Sequence, residues 1–232
     1  MKTQPVTSRE YKVMLRPNAF AGGNQQLLQA AGSFWHEFKQ AMGKTVGRKD
    51  GNLARIGNRR TIQFYDTDDH RLNNNSYIFR KRVDLDTGGK EVTLKFRHPD
   101  RYLSQNRNMK ARNSARAKTK FEEDIKSIFE TLYSYSTTQR VSDNIALHTL
   151  KDVARFYPAL SGELDHYEER AGITIIHGFT ARELVIEGAK FLIGKKSEIE
   201  SECALIVWYD EKCDPGKPVV AEFSFRYGNK NG

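Results

Sequence analysis

Residues 76 to 85 read SYIFRKRVDL, and the alternation within them decides the fold. In an extended strand Tyr77, Phe79, Val83 and Leu85 share one face, with Lys81 interrupting it, while Ile78, Arg80 and Arg82 share the other. Two guanidinium groups side by side on one face repel each other and cannot be buried alone, so that face must meet something negative. The next stretch, EVTLKFR at 91 to 97, sets Val92, Leu94 and Phe96 against Thr93, Lys95 and Arg97, and DTGG at 86 to 89 is a hairpin turn between the two.

The same device recurs along the chain. SREYKVML (8 to 15) sets Tyr11, Val13 and Leu15 against Ser8, Glu10 and Lys12. KTKFEEDI (118 to 125) puts Lys118, Lys120, Glu122 and Asp124 together, and VVAEFSFRY (219 to 227) opposes Ala221, Phe223, Phe225 and Tyr227 to Glu222, Ser224 and Arg226. A strand at Ile62, the stretch ELVIEGAKFLIG with Lys190 and a bulge expected at Gly188, and the apolar run CALIVWYD bring the total to about eight. Helical spacing is expected in three places. The first is 24 to 43, where Leu27, Leu28, Ala31, Phe34, Trp35 and Phe38 recur before Gly43; His36 lies on the polar side of that helix. The second follows Asp124, on Ile125, Ile128, Phe129, Leu132 and Tyr133; the third runs from a cap at Ser142 to Pro158. The expected architecture is α+β: one domain over 1 to 232, an antiparallel eight-stranded barrel, closed or nearly closed, with helices in two long connections. If the sheet closes, its charged faces line an interior, and a barrel of about eight strands can hold one small ligand. The alternative is a one-sided sheet whose charged face is solvated and laced with cross-strand Lys–Glu pairs.

Composition narrows the partners. The 232-residue chain has a formal net charge of +9, and residues 95 to 120 concentrate it, with Asp100 their one acidic residue. Such a field favours an anionic partner, so nucleic acid is a candidate through this stretch; residues 98 to 117 read as a solvated, mobile loop. Two cysteines make no disulfide framework, which points to a reducing, cytoplasmic setting, and no run of apolar residues has the length of a membrane-spanning helix. DTDDH at 66 to 70 reads as a capped turn rather than a metal loop, and GNLARIGNRR as a basic connection without the Lys-Ser/Thr of a phosphate-binding loop. No Cys/His set has zinc spacing, and there is no Gly-x-Ser-x-Gly elbow.

Lys12, Arg80, Arg82, Lys95, Lys120 and Lys190 come from separate strands, and cations converging on one cavity need a polyanion or interleaved carboxylates. Glu10, Glu122, Asp124 and Glu222 supply carboxylates. Arginine forks match phosphate oxygens and lysine adds compact charge, so the face suits a chain of phosphates. Spare carboxylates suit Mg²⁺ or Mn²⁺, hard ions that bridge to phosphate.

These pieces resemble a family. FYDTDDHRLNNNSYIFRKRV (64 to 83) is similar to a stretch of the CYTH-domain proteins, the triphosphate tunnel metalloenzymes, that ends in two alternated arginines. EYKV resembles the end of their E-x-E-x-K strand, with Glu10 and Lys12; VTLKFR places Lys95 at a phosphate-contacting lysine; KFEED resembles R-x-E-x-E, with Lys120, Glu122 and Asp124; Lys190 falls at a basic position and AEFSF resembles the closing E-x-E. The resemblance implies an eight-stranded tunnel that holds a triphosphate by Lys12, Arg80, Arg82, Lys95, Lys120 and Lys190, with catalysis resting on the first four. It implies Mg²⁺ or Mn²⁺ on Glu10, Glu122, Asp124 and Glu222, and hydrolysis of tripolyphosphate, thiamine triphosphate or a nucleotide ahead of adenylate cyclase chemistry. Two positions depart from the pattern: Ser8 and Ser224 stand where the family has glutamate. A hydroxyl grips a divalent ion less strongly than a carboxylate, so the alternative is a catalytically degenerate phosphate-, nucleotide- or RNA-binding module of the same fold.

Overall fold

The computed structural model describes residues 4–127, 130–163, 168–194, 199–213 and 216–228. Nine strands are present among them: β1 (Ser8–Leu15), β2 (Lys49–Asp66), β3 (Tyr77–Asp84), β4 (Lys90–His98), β5 (Ala117–Ser127), β6 (Glu130–Val141), β7 (Thr174–Ile193), β8 (Ile199–Asp210) and β9 (Pro218–Gly228). The helices are α1 (Asn24–Met42), α2 (Arg71–Asn74), α3 (Arg101–Gln105) and α4 (Leu150–Phe156). Strands are hydrogen-bonded in the order β1-β5-β6-β4-β3-β2-β7-β8-β9, and β1 pairs in turn with β9, so the pairing forms a ring. No helix among the described residues is long and apolar enough to cross a membrane.

The ninth strand is a correction to the expected eight. Residues 130 to 141, ETLYSYSTTQRV, form β6 where a helix was expected after Asp124. Thr131, Tyr133, Tyr135, Thr137, Thr138 and Val141 are β-branched or aromatic and suit a pleated, half-buried surface better than a helix. The seven- and eight-residue steps from Ile125 to Leu132 and Tyr133 coincide with two helical turns by chance; Ile128 and Phe129, also part of that expectation, lie outside the described residues. The strand expected at Ile62 begins at Lys49, so GNLARIGNRR is sheet and not a connection; its Leu53 is fully buried.

The chain divides into two compact units, each assembled from separated segments. Unit 1 comprises Met1–Thr7, Thr61–Glu123 and Thr131–Thr180, and its core sets Tyr77, Phe79, Val92, Leu94 and Phe96 of β3 and β4 against Leu150, Val153 and Tyr157. Lys81 breaks that apolar face, and partial burial, reinforced by nearby Lys90, pulls its pKa below the ordinary lysine value. Helix α4 is seven residues long and starts later than expected, because Thr149 and Asp152 close a reciprocal capping box there. Tyr157 follows it and donates to the carbonyl oxygens of Val92 (2.9 Å) and Thr137 (2.8 Å), tying β4 to β6 from behind.

Residues 98 to 117 are docked on this unit rather than free in solvent. Asp100 caps α3 by accepting from the backbone of Tyr102 (2.7 Å) and Leu103 (3.1 Å). Met109 and Ala111 enter the core, and Arg112 N–H donates to Phe156 O at 2.8 Å. Arg107 lies 4.5 Å above the Phe96 ring and pairs with Glu163 at 3.0 Å. The charge run misled because its buried apolar residues and Arg107, packed on Phe96, anchor it to the unit.

Unit 2 comprises Ser8–Arg60, Asp124–Glu130 and Ala181–Gly232. As the spacing predicts, α1 turns Leu27, Ala31 and Trp35 to the core, against Leu53, Leu184, Ile186, Leu205, Val207 and Phe223. Trp35 Nε1 donates to Gly51 O at 3.0 Å, and the helix stops at Gly43, whose φ of 50° is left-handed. The register of β7 against β8 shifts between Ile186 and Ala189, the bulge expected at Gly188. A side chain at Gly51 would collide with Gly188 O, so both glycines serve a close approach of β2 and β7.

Candidate functional site

Strand register builds a basic wall in unit 1. Residues opposite one another on β3, β4 and β6 share a face, which gives three cross-strand rows: Ile78–Lys95–Ser136, Arg80–Thr93–Thr138 and Arg82–Glu91–Arg140. The apolar partners of these residues fill the core behind, so burial of Phe79, Val92, Leu94 and Phe96 fixes which way the charges point. Beside β6 runs β5, and Ala115, Arg116, Ala117, Lys118, Lys120 and Glu122 close the other side of a cavity of about 880 Å³. Seven cations line it, Arg80, Arg82, Lys95, Arg116, Lys118, Lys120 and Arg140, against two carboxylates, Glu91 and Glu122.

The carboxylates are placed against cations. Lys120 Nζ donates to Glu122 Oε1 at 3.2 Å, and Arg82 stands 3.7 Å from Glu91. Thr93 and Thr138 share a hydroxyl hydrogen bond of 2.7 Å, leaving short polar side chains between the long basic ones. No aromatic ring is among the lining residues described. Seven positive charges facing two negative ones in a half-enclosed space repel one another unless an anion enters, and arginine forks beside hydroxyls are donors suited to phosphate oxygens.

Of the residues expected at one site, Arg80, Arg82, Lys95, Lys120 and Glu122 meet on this cavity. Lys12, Glu10, Asp124 and Glu222 come together in unit 2. There Lys12 Nζ lies 3.1 Å from Glu10, 3.8 Å from Glu222 and 4.0 Å from Asp124, whose side chain is fully buried. Burial alone would lower the Lys12 pKa, but the three carboxylates outweigh it and hold the ammonium above the usual lysine value. Ser224 is buried directly across the ladder from Lys12, and Ser8 lies opposite Gly228. Lys190, also in unit 2, is half-exposed and bonds Glu200 on the neighbouring strand at 2.8 Å.

Asp66 acts as the turn cap expected of DTDDH. Its buried carboxylate accepts from the backbone N–H of Thr67 (2.8 Å), Leu72 (2.9 Å) and Asn73 (3.0 Å), which fixes the entry into β3. Sequence reasoning missed Glu91, Arg116, Lys118 and Arg140 as site residues. Arg140 was legible in principle, since Ser134, Ser136, Thr138 and Arg140 alternate, but the helical reading of that stretch hid it.

The carboxylates near Lys12 are oxygen donors of the right chemistry for Mg²⁺ or Mn²⁺. As arranged, however, their oxygens surround an ammonium group, and among the described residues no three acidic, histidine or cysteine side chains form a metal-ligand set. Glu122 is engaged by Lys120 instead.

No family model matches the chain, and no curated protein matches it. Solved structures similar to it include a Hippeastrum protein named an adenylyl cyclase and said to reveal a dominant triphosphatase activity. It is 8% identical, with 97% of this chain and 80% of that one covered and a TM-score of 0.43. A Bacillus halodurans protein named an adenylate cyclase is 13% identical over 97% and 81% of the two chains, with a TM-score of 0.40. One from Vibrio parahaemolyticus, named likewise, is 10% identical over 98% and 79%, at 0.34. Likeness at this level carries no chemistry, and the functional reading rests on the site itself.

Proposed function

We propose that the protein binds the phosphate chain of a triphosphate-bearing molecule in the basic cavity of unit 1. One observation carries this: Arg80, Arg82, Lys95, Lys120 and Arg140 line a single cavity whose cations outnumber its carboxylates seven to two. Charge-assisted hydrogen bonds from such groups are the strong ones, and phosphate is the anion that can accept from several at once. The ligand is inorganic tripolyphosphate, thiamine triphosphate or a nucleotide, and the closed tunnel implied by the family resemblance belongs to the same proposal. Hydrolysis with Mg²⁺ or Mn²⁺ is its further part: Glu10, Asp124 and Glu222 are the groups available to a metal, and in this arrangement Lys12 neutralises part of their charge.

The test is release of phosphate and pyrophosphate from tripolyphosphate, ATP and thiamine triphosphate, with Mg²⁺, with Mn²⁺ and with chelator, alongside calorimetric binding. Metal-dependent orthophosphate release that disappears in Arg80→Ala establishes a triphosphatase; pyrophosphate from ATP establishes a cyclase. Absence of both turnover and binding overturns the reading. A second reading, a phosphate-binding module without turnover, is favoured by Ser224, a neutral side chain directly opposite Lys12. Glutamate restored at Ser8 and Ser224 decides between them: a gain of metal-dependent turnover marks a degenerate enzyme.

A further inference from the structure

We infer that Glu91 sets the length of phosphate chain the cavity accepts, an inference that rests on the phosphate-binding reading above. Same-face residues along a strand stand about 7 Å apart, so the three rows of the basic wall form successive stations for a chain lying along the strands. The first two stations present a cation with hydroxyls: Lys95 with Ser136, then Arg80 with Thr93 and Thr138. The third differs. Glu91 stands directly between Arg82 and Arg140 in the ladder, 3.7 Å from the Arg82 guanidinium, and all three line the cavity.

Two guanidinium groups flanking one position are what a phosphoryl group would bridge, and Glu91 supplies its own negative charge there. It therefore satisfies the third station internally and repels a chain long enough to reach it. The strands end just beyond this station: the next residue of β3 on the same face, Asp84, closes the hairpin turn with Gly89 and brings a carboxylate, not a cation. The protein thus favours chains that end at the second station, tripolyphosphate-sized, over longer linear polyphosphate.

The experiment is calorimetric titration of wild type, Glu91→Gln and Glu91→Thr with tripolyphosphate and with a longer linear polyphosphate, at one ionic strength. Threonine occupies the second station on the same strand, so Glu91→Thr guards against a folding failure specific to glutamine, and thermal melting without ligand reports folding of each variant. The expected result is a gain of about tenfold for the longer chain, the size of one charge-assisted hydrogen bond, against a change of less than about threefold for tripolyphosphate. Glu91→Asp, which keeps the charge, should retain the wild-type preference. Equal gains for both chains reduce Glu91 to a general repulsive charge and overturn the inference alone, as does no gain. If the wild type binds neither chain, the phosphate reading itself falls, and Glu91 with it.

Discussion

The basic wall of unit 1 and the Lys12 cluster of unit 2 are made by the same device, a period-two strand with its apolar side held in a core, yet their charge balances are opposite. On the wall, cations outnumber carboxylates seven to two; around Lys12, three carboxylates face one ammonium. An excess of donors in a cavity is poised for an external anion, whereas a lone cation enclosed by acceptors is already satisfied and acts first on stability. Alternation alone therefore does not make a binding site. Attraction for an anion needs alternation that leaves an excess of cations, as on the wall.

The largest effect expected is on the Lys12 side. Lys12→Met leaves Glu10, Asp124 and Glu222 facing one another, and with Asp124 fully buried this should cost about 3 kcal/mol, read as a lowered midpoint in urea or heat. Because the folded-state pKa of Lys12 lies above its ordinary value of 10.5, its contribution is complete below that pH and is lost as pH rises through the folded value. The wild type should lose this stability only in strong alkali, and Lys12→Met should lack that alkaline step. If Mn²⁺ raises the melting temperature of the wild type itself, the three carboxylates are a metal site after all and the comparison breaks.

Next comes Arg80→Ala, which should weaken tripolyphosphate binding by about tenfold or more while leaving the fold intact, since charge-assisted bonds contribute about 1.5–3 kcal/mol. Unchanged affinity in titration would remove Arg80 from the site. Thr149→Ala opens the capping box of α4, whose residues back the basic wall, and should cost about 1 kcal/mol of unit 1 stability, with a correspondingly small loss of binding. The smallest effect expected is at Lys190. Its ion pair with Glu200 is exposed, so Lys190→Ala should leave phosphate affinity within about twofold of wild type. A larger loss would return Lys190 to the site where the family resemblance put it.

Much of the wall was legible in the sequence because it depends on local period. Arg80 and Arg82, Thr93 and Lys95, and Lys120 with Glu122 each fall on one face at a spacing of two, whatever their strands pair with. The helix over 24 to 43 was legible for the same reason at a different period, as was the turn at Asp66, where a short carboxylate caps nearby backbone N–H groups. The reading failed where two local signals competed. Residues 125 to 133 offer apolar spacing near helical, and the threonines and tyrosines after them offer strand propensity; pairing with β4 gave the strand its hydrogen bonds and settled the matter. It failed also at 98 to 117, where a count of charges outweighed Met109 and Ala111, the buried apolar residues that anchor the segment.

By itself, then, the sequence determined which side chains share a face, since that depends only on the two-residue pleat of an extended chain. It determined the excess of positive charge and the apolar stripes that drive each strand onto a core. Tertiary structure alone decided which faces meet. The register of β3, β4 and β6 sets Glu91 between Arg82 and Arg140 and joins Arg140 to residues far away in sequence, while other strands bring Lys190 to Glu200 and gather Glu10, Asp124 and Glu222 around Lys12. Register is a long-range property, fixed by simultaneous burial and hydrogen bonding of strands distant in the chain, and no local pattern carries it.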